Sequence, residues 1–338
     1  MVGPRSTGDA WRTLPRPGVS ATAALAVAVL LPAAAGLAGC SATGPQPQLE
    51  QPTQPAEVPA LAAKVPGPIA RDGALTIGTD PSYPPMEFLS AETGTLQGAD
   101  VDLAGAVASV LGLEPRFEDE AFSALTDSVR TGRIELAVSS LTVPADKPSA
   151  ADAVLYFNSG NQLVTSQSGS GVTGATLCAS TVATVEGSAQ VRDLARISAA
   201  CRAAGSGGIT IEALSDQEQV TAATLSSGVD AMLTDIPVAQ YAVAQNPGRL
   251  ALSGKPFDKA PFGMLSPPEH SRFTKAVRGA VDHLIREGYY QSTLRRWGIA
   301  DGAVAHATIR WNARRQATLD RAAQRQAAKD DKKSAKQR

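Results

Sequence analysis

Histidine and cysteine are scarce here, with three of each in 338 residues. His270, His283 and His306 lie toward the C-terminus without metal-ligand spacing, and there is no nucleophile elbow, so zinc-hydrolase and serine-hydrolase chemistry find no residues to use. No metal or cofactor is expected. Net charge is equally sparse: 31 basic residues stand against 32 acidic ones, giving -1, and no global field exists to hold a nucleic-acid backbone. Aromatic residues make up only 4% of the chain. What is present is globular, with 43% hydrophobic and 19% charged residues and a length suited to one large or two modest domains.

The N-terminus carries Arg5, Arg12 and Arg16 against Asp9, followed by an uncharged run over residues 21–38 broken by Pro32 and Gly36. A basic segment followed by a short apolar one reads as an export signal; the competing reading is a retained membrane anchor, which the breaks disfavour. The run ends Leu37-Ala38-Gly39-Cys40, which resembles the lipobox of bacterial lipoproteins. That resemblance implies removal of residues 1–39, lipidation of Cys40 and tethering to the outer face of the cytoplasmic membrane. With Cys40 so used, Cys178 and Cys201 remain as a pair in an oxidising compartment, and a structural disulfide is expected rather than two buried thiols. Residues 40–70, with prolines at 45, 47, 52, 55, 59, 66 and 68, read as a semi-extended linker. Residues 303–338 read as a basic tail: from 306 onward ten Lys or Arg face three Asp. Either the tail is a solvated, partly helical segment or it meets an anionic partner.

Between these ends, short β runs alternate with amphipathic helices, the pattern of an α/β fold. Leu75-Thr76-Ile77 reads as a first strand, and a helix with Leu103, Val107, Val110 and Leu111 on one face follows, with Asp100 placed to cap it and Gly112 to end it. A helix, a glycine, a strand and a polar pair then occur twice, ending in Ser139-Ser140 and in Thr234-Asp235. In open α/β sheets such strand ends line the ligand crevice, so the two polar pairs are expected to face each other. After Pro256, Pro261, Pro267 and Pro268 comes a helix with Phe273, Ala276, Val277, Ala280, Val281 and Leu284 at helical spacing. It is expected to return to the first lobe, giving two crossovers and a hinge.

The stretch Gly98-Ala99-Asp100-Val101-Asp102-Leu103, with Gly78-Thr79-Asp80-Pro81-Ser82-Tyr83, Ser139-Ser140-Leu141-Thr142, Glu186-Gly187-Ser188 and Asp230 through Asp235, resembles the family-three extracellular solute-binding proteins of polar-amino-acid importers. The resemblance spans about 73–300 and implies a two-lobed periplasmic-binding-protein fold of type II. Lobe 1 is then 71–165 with 259–302, and lobe 2 is 166–258. It also implies a monomer that binds a small polar solute, probing no chemistry of its own, and passes it to ABC importer permease subunits. By the same resemblance Tyr83 and Phe122 flank the ligand, Asp80 shapes the mouth, and Ser139, Ser140 and Thr142 offer polar groups. Asp235 then pairs with an ammonium, and Ser188 opens a helix whose amides suit an anion. Where the family carries an arginine for the ligand carboxylate this chain has Lys147, followed by Pro148, and Ala189 replaces the usual threonine. Lysine lacks the bidentate fork, so a modified amino acid, an amine or another acid stays open as ligand.

Two further readings remain. A dehydratase-like enzyme on the same scaffold needs an acid or base in the cleft, for which Glu87 and Glu186 are the candidates. A ligand sensor or cell-envelope interaction protein is motivated by the basic tail alone.

Overall fold

The computed structural model describes residues 53–144, 149–167 and 172–336, which lie in one compact unit, Leu49–Arg338. The export segment and Cys40 fall outside the described residues. In chain order the elements are α1 (Pro59–Ala62), α2 (Gly67–Ala70), β1 (Ala74–Thr79), β2 (Ser82–Tyr83), β3 (Glu87–Leu89), β4 (Leu96–Gln97) and α3 (Ala99–Val110). Then come β5 (Glu114–Asp119), α4 (Leu125–Thr131), β6 (Leu136–Ala137), β7 (Asp152–Ser166), β8 (Thr181–Val185), α5 (Ala189–Ala203), β9 (Thr210–Leu214) and α6 (Gln217–Leu225). The chain finishes with β10 (Ala231–Asp235), α7 (Ile236–Gln245), β11 (Leu250–Ser266), α8 (Ser271–Arg286), α9 (Tyr289–Arg296), β12 (Ala303–Arg310) and α10 (Ala313–Lys336).

One sheet runs β5-β1-β6-β11-β7-β10-β8-β9, with β12 added to β7. Its two flanks are parallel: β1 pairs with β5 and β6, and β8 pairs with β9 and β10. The long antiparallel strands β7 and β11 join the flanks, and their ladder shifts register between Ser253, Phe257 and Ala260 and again at Phe262–Gly263. Parallel strands need crossover helices on both faces, which is why each flank is a small doubly wound unit. In the first flank β1 and α3 share a core with α8 and α9, including Leu75, Leu103, Val107, Phe273, Val277 and Tyr290. In the second, Val164, Ala183, Val220 and Met232 form one cluster and Leu163, Val182, Leu194 and Leu233 another.

Several details differ from the sequence reading. Asp100 does not cap α3. Gly98 takes the N-cap position with a positive φ of 139°, where a Cβ would come within 2.1 Å of the Met86 carbonyl oxygen, and the Asp100 carboxylate turns inward instead. The proline-rich segment also does not stay extended to residue 70. Val58, Leu61, Val65 and Ile69 recur at helical spacing and pack on the first core, while Pro59, Pro66 and Pro68 fall at helix starts where the missing N–H costs nothing. The Val58 amide donates to the Val110 carbonyl at 2.9 Å. Nor does the C-terminal segment begin as a tail: β12 pairs with β7 and buries Ala307. Beyond it, the Asn312 amide and side chain both donate to the buried Asp152, at 2.9 and 2.6 Å.

Cys178 and Cys201 are bonded, with S–S 2.04 Å, and the bridge ties the segment before β8 to the end of α5. Closing a loop with a sequence separation of 23 stabilises by about 3 kcal/mol in the chain-entropy view. The double variant Cys178→Ala/Cys201→Ala is therefore expected to unfold several degrees lower in a thermal scan with an unchanged fold by circular dichroism; an unchanged Tm would show the bridge to be ornamental.

Candidate functional site

The polar strand ends do meet. Asp80, Tyr83, Phe122 and Thr142 from the first flank and Ser188 and Asp235 from the second line one nearly closed cavity of about 20 Å³. Asp235 is the last residue of β10, and extended backbone followed by Pro237 in the first turn of α7 turns its carboxylate away from the helix, so it caps nothing. Only 4% exposed, it accepts from the Tyr83 hydroxyl at 2.7 Å, from the Gln190 amide at 3.1 Å and from the Ser159 hydroxyl at 3.1 Å. Burial pushes its pKa up to about 6 against the pull of those three hydrogen bonds.

Tyr83 spans the two flanks. Besides its bond to the Asp235 carboxylate, its hydroxyl lies 3.0 Å from Thr234 Oγ1 and accepts from the Asp235 amide at 3.3 Å. Thr234 in turn donates to Gln217 Oε1 at 3.0 Å. Asp80 follows β1; it accepts from the Ser82 hydroxyl at 2.6 Å and from the Phe122 amide at 2.9 Å, which sets the short turn that presents the Phe122 ring. Burial raises the Asp80 pKa, opposed by those two hydrogen bonds, and the charges of Asp119 and Asp216 raise it further. The mouth of the cavity is thus acidic.

Ser139 sits below the cavity wall, whereas Ser140 lines the cavity beside Glu87, with its hydroxyl committed to the Asp100 and Glu87 carboxylates. Ser139 donates to Glu87 Oε1 at 2.9 Å and accepts from the Asp80 amide at 3.1 Å, and it is not among the lining residues. Ser140, at φ 48°, gives its amide to Asp100 at 2.7 Å and its hydroxyl to the same carboxylate at 3.2 Å. Tyr156 donates to the other Asp100 oxygen at 2.5 Å. Burial and the adjacent Asp100 push Glu87 well above the ordinary carboxylate range. This polar raft fixes the ends of β1 and β6 from beneath, and Glu87 reaches the cavity through it. Glu186 is exposed and does not line the cavity.

Ser188 is the N-cap of α5, and no side chain caps that helix, so its first amides face the cleft uncommitted to any cap. Beside it a second cavity of about 470 Å³ shares Thr142 and Asp235 with the first and adds Asn161, Arg192, Asp193 and Lys259. Arg196 is held by Asp193 and Asp258, whereas Arg192 makes no ion pair among the described residues and donates only to the Ser188 carbonyl at 3.4 Å. Lys147 lies outside the described residues. Sequence reasoning missed Gln190, Gln217, Ser159 and Arg192. Ser159 sits on β7, whose nearly unbroken burial leaves no period-two signal, and glutamines two residues past a turn carry none either. Among the described residues no group of His, Cys, Asp or Glu is arranged to hold a metal ion, and no helix is long and apolar enough to cross a membrane.

Residues 75–300 match the bacterial extracellular solute-binding proteins, family 3. The chain is similar to the arginine-binding protein ArgT of Corynebacterium glutamicum, at 32% identity over 257 residues that cover 75% of this chain and 84% of that protein. It is also similar to the L-cystine-binding protein TcyJ of Escherichia coli, at 22% identity over 230 residues covering 68% and 84%. Among solved structures, an ancestral arginine-binding protein bound to arginine shares the fold with a TM-score of 0.62 at 24% identity, covering 67% of this chain and 98% of that one. The match over most of the sheet, together with the cleft at its strand ends, makes the chain a member of the family 3 bacterial extracellular solute-binding proteins, binding proteins of amino-acid-type ABC importers rather than enzymes.

Proposed function

We propose that the solute is a cationic α-amino acid of the arginine type, captured outside the cytoplasm by a lipid-anchored monomer and handed to the permease of its importer. One observation carries this reading: a single cavity holds a buried carboxylate, Asp235, and a second one, Asp80, with the Tyr83 and Phe122 rings between the strand ends that bear them. A carboxylate suits an α-ammonium, and an acidic mouth suits a cationic side chain. The arginine named for the relative in Corynebacterium glutamicum agrees with that charge pattern. The α-carboxylate then turns to the open N-terminus of α5 and to Arg192 in the adjoining cavity.

Thermal unfolding of residues 49–338 with L-arginine, L-lysine, L-glutamine, L-cystine and L-glutamate tests the reading. Arginine at 100 times its Kd adds about 2.7 kcal/mol and several degrees. A shift with glutamate or cystine and none with arginine sinks it. Agmatine, which is arginine without its carboxylate, tests Arg192. The wild type is expected to prefer arginine, and Arg192→Gln to lose roughly five- to tenfold of that preference while agmatine binds both alike. An undiminished preference in the variant removes Arg192 from the site.

A further inference from the structure

The last helix carries a charge pattern that solute capture does not use. From Gln316 to Gln326 every residue of α10 is exposed, so the helix leaves the body after its first turn. That first turn is anchored: Arg315 pairs with buried Asp152 and lies over the Trp311 ring, with Asn312 bonded to the same carboxylate. At 100° per residue, positions 314, 321, 325, 332 and 336 fall close together on the helix surface, and all five are Arg or Lys. Positions 329 and 333, also basic, complete a sector of about 120°. Asp320, Asp330 and Asp331 occupy the opposite side. The basic stripe runs the length of the 24-residue helix, about 36 Å.

Such an arrangement opposes its own formation. Arg321 and Arg325, Arg325 and Lys329, Lys329 and Lys333, and Lys332 and Lys336 are like charges at i,i+4, each repelling, while Asp330 and Lys333 are the one opposed pair at i,i+3 in that stretch. Apolar packing does not offset this: Leu319, 45% exposed, is the only large apolar side chain on the helix. A flat anionic surface relieves the repulsion along the whole stripe at once. The remainder of the molecule has the opposite sign, because a chain of net charge -1 with ten cations and three acids in residues 306–338 is acidic by eight elsewhere. An anionic plane thus attracts α10 and repels the body.

We infer that α10 is a docking surface for anionic lipid headgroups and lies along the bilayer while the acidic body faces away from it. The choice of a bilayer rests on the lipid anchor proposed above: the 17 residues between Cys40 and Val58 span at most about 60 Å when extended, so the surface is always within reach of the helix. The scarcity of large apolar residues means adsorption by charge, without insertion.

Co-sedimentation of residues 49–338, which carry no acyl group, with vesicles of phosphatidylcholine alone or with about 30% phosphatidylglycerol tests the docking surface independently of the anchor. Binding is expected only with the anionic lipid, reduced more than about tenfold by raising salt from about 0.1 to 0.5 M. The variant Arg321→Gln/Arg325→Gln/Lys329→Gln/Lys332→Gln/Lys333→Gln/Lys336→Gln is expected to lose binding by at least about tenfold and to keep its thermal unfolding and its arginine response, since the changes leave the folded body untouched. Equal vesicle binding by that variant, or none by the wild type, overturns the inference. Retention on poly(glycerol phosphate) without any vesicle binding overturns it in favour of a wall polymer.

Discussion

Replacing Asp235 by asparagine is expected to weaken arginine binding by at least about 100-fold, because removing one partner of a buried charge pair costs about 3 kcal/mol or more. The carboxylate is 4% exposed and ringed by Tyr83, Ser159 and Gln190, so water cannot replace the lost charge. Asp80→Asn is expected to be milder, since that group is nearer the rim and shares its field with Asp119 and Asp216. The wild type carries a pH signature of the same residue. Its pKa near 6 without ligand means that the ammonium must draw a proton off below that pH, and affinity is expected to fall tenfold per pH unit there while staying flat above it. Stability runs the other way. A folded value raised from 3.8 to about 6 makes the unliganded protein lose stability as pH climbs from 4 through 6, by about 3 kcal/mol in all. Calorimetric titration of both proteins between pH 5 and 8 checks this. Pronounced pH dependence surviving in Asp235→Asn, or binding within a factor of about three of wild type, removes the residue from the ammonium site.

The second large effect concerns the C-terminus. Ending the chain at Gly302 removes β12 and leaves Asp152, fully buried, without Asn312 and Arg315. A stranded buried charge costs about 3–5 kcal/mol, and the loss of the strand adds to it, so Tm is expected to fall by about 10 °C or more. Ending it at Asp320 keeps the strand, the Trp311 contact and the Asp152 clamp, and Tm is expected to stay within about 2 °C of wild type. Equal behaviour of the two truncations would mean that β12 is an accessory and that the clamp contributes nothing.

The fold's flanks were readable because they repeat a strong local grammar. Helix, left-handed stop and strand recur, with Gly132 closing α4 at φ 73° and Ser227 following α6 at φ 56°, and with Asp235 ending β10 much as Ser139 comes just after β6. The polar pairs Ser139-Ser140 and Thr234-Asp235 were readable from the convergence of strand ends, whereas Tyr83 and Phe122 came only with the family resemblance. What joins the flanks was not readable. β7 is buried on both faces for nearly its whole length, so its side chains show no alternation, and β11 contains Pro256 and Pro261, which in the sequence marked only a proline-rich passage before the next helix but fall where the ladder shifts or pairs with Asn158. Asp100 looked like a cap by position, and only the packing of Tyr156 and Ser140 beneath the cleft reveals it as a buried acceptor. The tail was misjudged from its end: the charges from residue 314 onward hid a strand whose pattern is weak because just one side of it is covered.

The placement of Ser159 sets an order of events. It lies in the short stretch where β7 passes from β12 to β10 with only β11 beside it, next to the irregular ladder at Phe257 and Ala260. Should the two flanks rotate apart, the twist is expected to concentrate at this irregular joint, and points near such a spine travel least. Asp235 pairs in register with Asn161, two residues from Ser159, so in such a rotation Asp235 and Ser159 are expected to stay together while Tyr83, carried on the other flank, moves off. On the proposed function, an arriving solute is then expected to find its ammonium seat already assembled and the rest of its enclosure dispersed. Capture of the backbone end is then expected to come first, at a rate set by diffusion, and contact of the side chain with Tyr83 and Phe122 last. Discrimination between solutes then resides in how long each remains bound, so related amino acids are expected to arrive with similar on-rates and to leave with very different ones.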